Sequence, residues 1–239
     1  MPDPTTSGGP PGIPAAPEPR QRWRLVVARG VDPAAATQRD VADAWSGAVE
    51  STGLPVARAD AGWGRPRISF GAPLPARMAA EAELIDIVLT ERWPAWRVRE
   101  AILGAVPTGW RLVDLHDVWL AGPPLAGQVV AADYRIAFPD TVDPPSLGRA
   151  ARGLLDAANI PLERTKGAAV VRYDLRPLLV DLEIRAGPPP TAVARTRFHP
   201  ELGTGRPEAV IEALGDSLGT RLEATSIVRE RLVLRSELV

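Results

Sequence analysis

The chain has 239 residues, 45% apolar and 24% charged, enough for one large domain or two small ones with a substantial core. Its formal net charge of −1 gives no global field toward nucleic acid or an anionic membrane. Lacking cysteine, it can form no disulfide, thiolate zinc site or cysteine-ligated iron–sulfur cluster, and no apolar run approaches the roughly 20 residues of a membrane helix.

Residues 1–20 are rich in Pro, Gly, Ser and Thr and predict a disordered tail without the basic and apolar regions of a secretory signal. A cytoplasmic location is the expectation. Arg22 to Arg29 reads as the first strand. Thr37-Gln-Arg-Asp40 reads as a capping box opening a helix whose apolar face is Val41, Trp45, Ala48 and Val49, with Gly53 as its stop. Strands follow at Arg67–Phe70 and Leu84–Leu89. Pro94 suits a first helical position, and Val98, Ala101, Ile102 and Ala105 form that helix's apolar stripe. Trp110 to Leu120 closes a β-α-β-β-α-β series, the split βαβ order of a ferredoxin-like unit.

The second half repeats the pattern. Val129–Phe138 is a strand, and Asp143-Pro-Pro-Ser opens a helix carrying Leu147, Ala151, Leu154, Leu155 and Ala158. Ala168–Tyr173 and Ala192–Phe198 read as strands, with Asp174–Ala186 an elaborated connection between them. Gly205-Arg-Pro207 starts a helix, and Thr225–Arg235 alternates Val228, Leu232 and Leu234 with Arg229, Arg231 and Arg235. The expected fold is therefore α+β: two tandem ferredoxin-like units with antiparallel sheets, spanning 21–122 and 123–239 after the tail.

Chemistry is sparse. Of two histidines, His116 lies among Asp114 and Asp117 on a strand and His199 precedes a proline, so neither makes a catalytic set. No nucleophile elbow, Walker loop or dinucleotide fingerprint is present, and neither catalytic nor metal-binding residues are assigned. Glu81, Glu83 and Asp86 are read as decorating the exposed face and end of a strand near Arg65, Arg67 and Arg77. The binding candidates are cationic. Arg164 and Lys166, the sole lysine, precede a strand; Arg172 and Arg176 flank Asp174; and Gly203-Thr-Gly-Arg-Pro207 lies before a helix, where backbone N–H groups favour an anion. A phosphate-binding patch forms if these segments meet at the sheet edge; otherwise Asp174 simply fixes its turn. All seven tryptophans fall in the first half, Trp63 and Trp93 in loops where they could stack on a base or a partner.

Pro66-Arg-Ile-Ser-Phe-Gly-Ala-Pro-Leu-Pro75, Glu81–Leu89, Asp174-Leu-Arg-Pro177 and Arg206-Pro207, with Thr52-Gly-Leu-Pro55, resemble an uncharacterised bacterial family, the radical SAM-associated (radical SAM-linked) domain of unknown function. The resemblance covers about residues 22–235, and the chain looks like the stand-alone form. It implies a partner of a radical SAM enzyme, not itself catalytic, that binds or presents a substrate such as RNA. No cofactor would be on this chain, because the partner would carry the iron–sulfur cluster and S-adenosylmethionine. The alternative is a stand-alone RNA- or phosphate-binding module, with an enzyme using Asp40 or Asp174 ranked last. Anion- or RNA-binding candidates are Arg65, Arg67, Arg164, Lys166, Arg176 and Arg206; site-shaping candidates are Asp40, Pro66, Ser69, Phe70, Asp174, Pro177 and Pro207. The chain departs from the family at two histidine motifs. Ala36-Thr-Gln-Arg-Asp40 keeps only the aspartate of a Ser-His-Leu-Asp stretch, and Gly62-Trp-Gly-Arg-Pro66 has Arg65 where the family has histidine. Arg65 can bind an anion but cannot shuttle protons near neutral pH.

Overall fold

The computed structural model describes residues 17–31, 36–59, 64–75, 78–167 and 169–237, where the chain is a mixed α+β protein with one large, mostly antiparallel sheet and five helices. Most of the expected N-terminal tail, and Gly62, Trp63 and Arg77, lie outside the described residues.

The first half runs β1 (Gln21–Arg29), α1 (Gln38–Ser51), β2 (Ile68–Phe70), β3 (Ala79–Leu89), α2 (Ala95–Leu103) and β4 (Trp110–Val118). Its strands lie in the order β4-β1-β3-β2, all antiparallel. The capping box forms: Thr37 Oγ1 accepts from the Asp40 amide, and the Asp40 carboxylate accepts from the Thr37 amide. Val41, Trp45 and Val49 then recur at helical spacing and are buried against Trp23, Leu25, Ile85 and Ile87. Pro94 is the N-cap of α2, not its first helical residue, and Val98 and Ile102 form its buried stripe.

Helix α3 (Leu125–Gln128) leads into the second half: β5 (Val129–Ala137), α4 (Pro144–Asp156), β6 (Pro161–Lys166), β7 (Ala169–Asp174), β8 (Leu179–Arg185), β9 (Thr191–His199), β10 (Gly203–Thr204), α5 (Pro207–Leu218) and β11 (Ser226–Leu234). Here the order is β11-β5-β9-β8, with β10 added to β9. One sequence expectation is corrected. The expected strand at 168–173, whose first residue lies outside the described residues, does not enter the main sheet: β7 pairs with β6 as a separate hairpin. The strand that completes the half is β8, inside the segment expected to be a connection. A 3₁₀ turn at Arg176–Leu178 redirects the chain, and Leu178, Leu179 and Leu182 are buried where β8 meets α4. Apolar burial thus selects β8 over β7, whose Val170 is left 62% exposed.

The halves are joined through their sheets. β1 runs along one whole edge of β3, from Leu89 to Ala80. The other edge is shared: β2 pairs at Ile85–Ile87, while β11 pairs in parallel at Ala79 and Ala80. A single nine-stranded sheet results, with the Gly71–Pro75 segment crossing the fork between β2 and β11. Each half keeps its own apolar cluster on the helix side.

Candidate functional site

The fork is the place where the chain's sequence markers meet. A cavity of about 390 Å³ opens there, lined by Pro73, Leu74 and Pro75 from the crossing loop, Tyr134 from β5, Phe198 from β9, and Thr204 to Glu208 at the start of α5. Its floor is Arg229 of β11, 1% exposed. A β-bulge between Arg229 and Arg231 places Arg229 opposite Tyr134, on the helix side with Leu232, rather than on the polar face that simple alternation predicts. Its Nε and Nη2 donate to the two Glu83 oxygens at 2.6 and 2.5 Å. Nη1 donates to the Pro73 carbonyl at 2.9 Å, and Nη2 also reaches that of Ala72 at 3.3 Å. Every arm of the guanidinium is engaged, so Arg229 clamps the crossing loop to the sheet. Burial works to lower the Arg229 pKa, but the charge and hydrogen bonds of Glu83 prevail and raise it above the ordinary arginine value. Burial likewise raises the Tyr134 hydroxyl, against the opposing charge of Arg229.

Glu83 and Asp86 are therefore corrected from exposed decoration to buried ion-pair centres on opposite faces of β3. Asp86 accepts from Arg22 Nε at 2.7 Å and from Arg24 Nε at 2.8 Å; Arg22 also donates to the Gly122 and Pro123 carbonyls, tying down the segment between the halves. Glu81 is exposed and pairs with Arg135. Neither Arg65 nor Arg67 serves these carboxylates. Arg65 is ion-paired to Asp43 of α1, and the exposed Arg67 side chain has no polar partner among the described residues. Pro66 is buried in an isolated bridge with Arg58, while Ser69 and Phe70 lie in β2, Ser69 opposite Asp86. Asp40 is engaged in the capping box of α1.

The second-half candidates divide by role. Asp174 Oδ1 accepts from the Ile160 amide at 2.7 Å and the Arg176 amide at 2.9 Å, closing a turn over its own backbone. Arg176 points into the fold: Nε donates to the Ala157 carbonyl at 3.2 Å and Nη1 to that of Leu179 at 2.9 Å. Pro177 sits in the 3₁₀ turn that follows. This turn supports the cavity. A Cβ on Gly205 would lie 2.8 Å from the Thr196 Cβ and 3.0 Å from the Leu178 carbonyl, so only glycine lets the loop before α5 sit this low. Thr196 Oγ1 locks it by donating to the Gly205 carbonyl at 2.8 Å. Pro207, buried, then begins α5, and Arg206 as N-cap remains exposed at the mouth. Arg164 lies over the Tyr173 ring at 5.6 Å; burial, helped by the charge of Glu212, raises the Tyr173 hydroxyl against the charges of Arg164 and Arg206. Of these cations Arg206 lines the cavity, whereas Arg164 lies on the β6–β7 hairpin. The Lys166 side chain lies outside the described residues.

The histidines stand apart. His116 is exposed on β4, where Asp114 is held below the usual carboxylate range by the hydrogen bond from Arg99. His199 Nδ1 accepts from the Glu201 and Leu202 amides. Among the described residues no group of three metal-ligating side chains gathers.

A protein-family model described as "Uncharacterized protein conserved in bacteria (DUF2344)" matches residues 22–211. The chain belongs to this family. No curated protein matches it. Among solved structures it is similar to a chain in "Crystal Structure of a Cbf5-Nop10-Gar1 Complex", with 10% identity and a TM-score of 0.45 over 87% of this chain and 49% of that one. This chain thus spans about half the length of that one. In this DUF2344 chain, the matched residues include the crossing loop, Glu83 and the start of α5, and end before Arg229. Arg229, Tyr134 and Phe198 escape a reading by motif. The signal for Arg229 is indirect: a buried Glu83 on an apolar strand face requires a cation opposite it.

Chemically the arrangement has the groups to hold an anion next to an aromatic wall. It offers the exposed Arg206 guanidinium at a helix start, the Glu208 carboxylate, apolar and aromatic walls, and a floor whose charges are mutually satisfied.

Proposed function

We propose that the chain is a non-catalytic partner of a radical SAM enzyme that binds or presents a phosphate-bearing substrate, RNA foremost, at the fork between its two halves. Each half is read as a ferredoxin-like unit, supported by the strand orders β4-β1-β3-β2 and β11-β5-β9-β8. The observation that supports the binding site is the exposed Arg206 at the mouth of a cavity walled by Tyr134 and Phe198; Arg164, over Tyr173 on the β6–β7 hairpin, is a further cationic candidate. Guanidinium groups beside aromatic rings suit a phosphate backbone with stacked bases. The radical SAM partnership rests on the resemblance of the crossing loop, the Asp174–Pro177 turn and Arg206-Pro207 to the radical SAM-linked family. Having no cysteine, this chain would leave a thiolate-held cluster to the partner.

Single-stranded RNA is expected to bind with affinity that falls as salt rises. Replacing Arg164 and Arg206 together with glutamine should weaken binding roughly tenfold and reduce the salt slope by about 1–2, as loss of two phosphate contacts requires. Salt-independent binding, or binding unchanged in that variant, would overturn the site. Pull-down under reducing, anaerobic conditions tests the partnership; recovery of RNA without any radical SAM protein would favour a stand-alone module.

A further inference from the structure

A second hollow, of about 890 Å³, runs beside α5 and adjoins the fork cavity at Glu208. Helix α5 turns Ala209, Val210, Ala213 and Leu214 into the core. On its flank Glu208, Glu212 and Asp216 fall at i, i+4 and i+8, one acidic stripe spanning about 12 Å. Like charges at this spacing repel one another along the helix. Among the described residues no basic side chain relieves them by an ion pair. The facing wall is the 220–224 segment. Gly215 allows its close approach, since a Cβ there would lie 2.7 Å from the Thr220 carbonyl. Between the walls lies an apolar floor of Ile211, Leu222, Ala224 and Ile227. Glu223 adds a further carboxylate, and the lining's single cation, Arg221, is 3.5 Å from it.

We propose that this groove docks a basic amphipathic segment of a partner protein, its apolar side chains on the floor and its arginines or lysines along the acidic stripe. The choice of occupant follows from charge. Four carboxylates against one guanidinium repel nucleic acid, and they repel a second copy of this chain presenting the same face. An apolar floor with an unrelieved acidic wall is complementary to a cationic, amphipathic segment. Glu208 lines both this groove and the fork cavity, so a docked partner lies next to Arg206. The inference stands on the groove alone and does not depend on the ligand of the fork.

The test uses the full chain and a synthetic helical peptide of about 14 residues with a leucine face and an arginine face. A control peptide carries glutamate for arginine. The arginine peptide is expected to slow amide exchange within 208–224, and fluorescence anisotropy should show binding that weakens roughly tenfold in Glu212→Gln/Asp216→Asn. Both substituted side chains are exposed, so folding is retained, which circular dichroism verifies. Leu222→Gln should weaken the same complex through the floor, and the glutamate peptide should not bind. Four results overturn the proposal: no binding, protection confined to other segments, equal affinity in the double variant, or the same protection produced by magnesium chloride without peptide. The last would assign the carboxylates to a cation.

Discussion

Arg229 and Arg176 show how two buried-facing arginines differ from one that is free to bind. Arg229 neutralises Glu83 at a site where both are at most 5% exposed. Removing one member leaves an uncompensated buried charge, so Arg229→Met should lower unfolding free energy by about 3–5 kcal/mol in urea titration. The double variant Arg229→Met/Glu83→Leu should recover much of that loss, because a well-packed apolar pair removes both desolvation penalties. Arg176 donates to two backbone carbonyls, whereas Arg206 is exposed at the mouth of the cavity. Arg176→Ala is accordingly expected to cost about 1–3 kcal/mol of stability while leaving the proposed RNA binding of the folded protein unchanged. Arg206→Ala should do the reverse, and parallel unfolding and binding titrations separate the two.

At the scale of elements, the loop before α5 depends on what lies beneath it. Thr196, Leu178 and the Asp174 turn form a platform with no room for a side chain at position 205. Gly205→Ala should therefore displace the N-cap residue Arg206, destabilise the fold by about 1–3 kcal/mol and weaken phosphate-dependent binding together. Unaltered stability would show that the loop can lift without strain. Local sequence patterns specify much at this scale. The Thr37–Asp40 capping box and the Val41, Trp45 and Val49 stripe lead directly to α1, since both depend on residues within a few turns. The second half is less legible: 168–173 and 179–185 both suit a strand locally. Only contact with α4 and β9 gives β8 its place in the main sheet.

Across the whole molecule, the face of the sheet around β5 is held by ionic cross-links. Asp133 accepts from Arg195 at 2.6 Å and Arg231 at 3.0 Å, joining β9, β5 and β11. Burial acts to raise its pKa, but the hydrogen bond and charge of Arg195, with those of Arg231, hold it below the ordinary carboxylate value. The sign follows: its stabilising contribution is complete above the unfolded carboxylate pKa, near 3.9, and is lost as pH falls through the lower native value. Asp133→Asn should thus flatten the acid limb of stability against pH between about 2 and 5, read as urea midpoints. The sequence by itself determined the α+β composition, the order of most elements, most helix caps and the Arg-Pro start of α5. These rest on short-range periodicity and turn chemistry. Tertiary structure alone decided that Glu83 meets Arg229 across 146 positions, that β3 divides its edge between β2 and β11, and that the crossing loop roofs a cavity. A bulge reversed the face of Arg229, and long-range burial, which local pattern does not encode, set its partner.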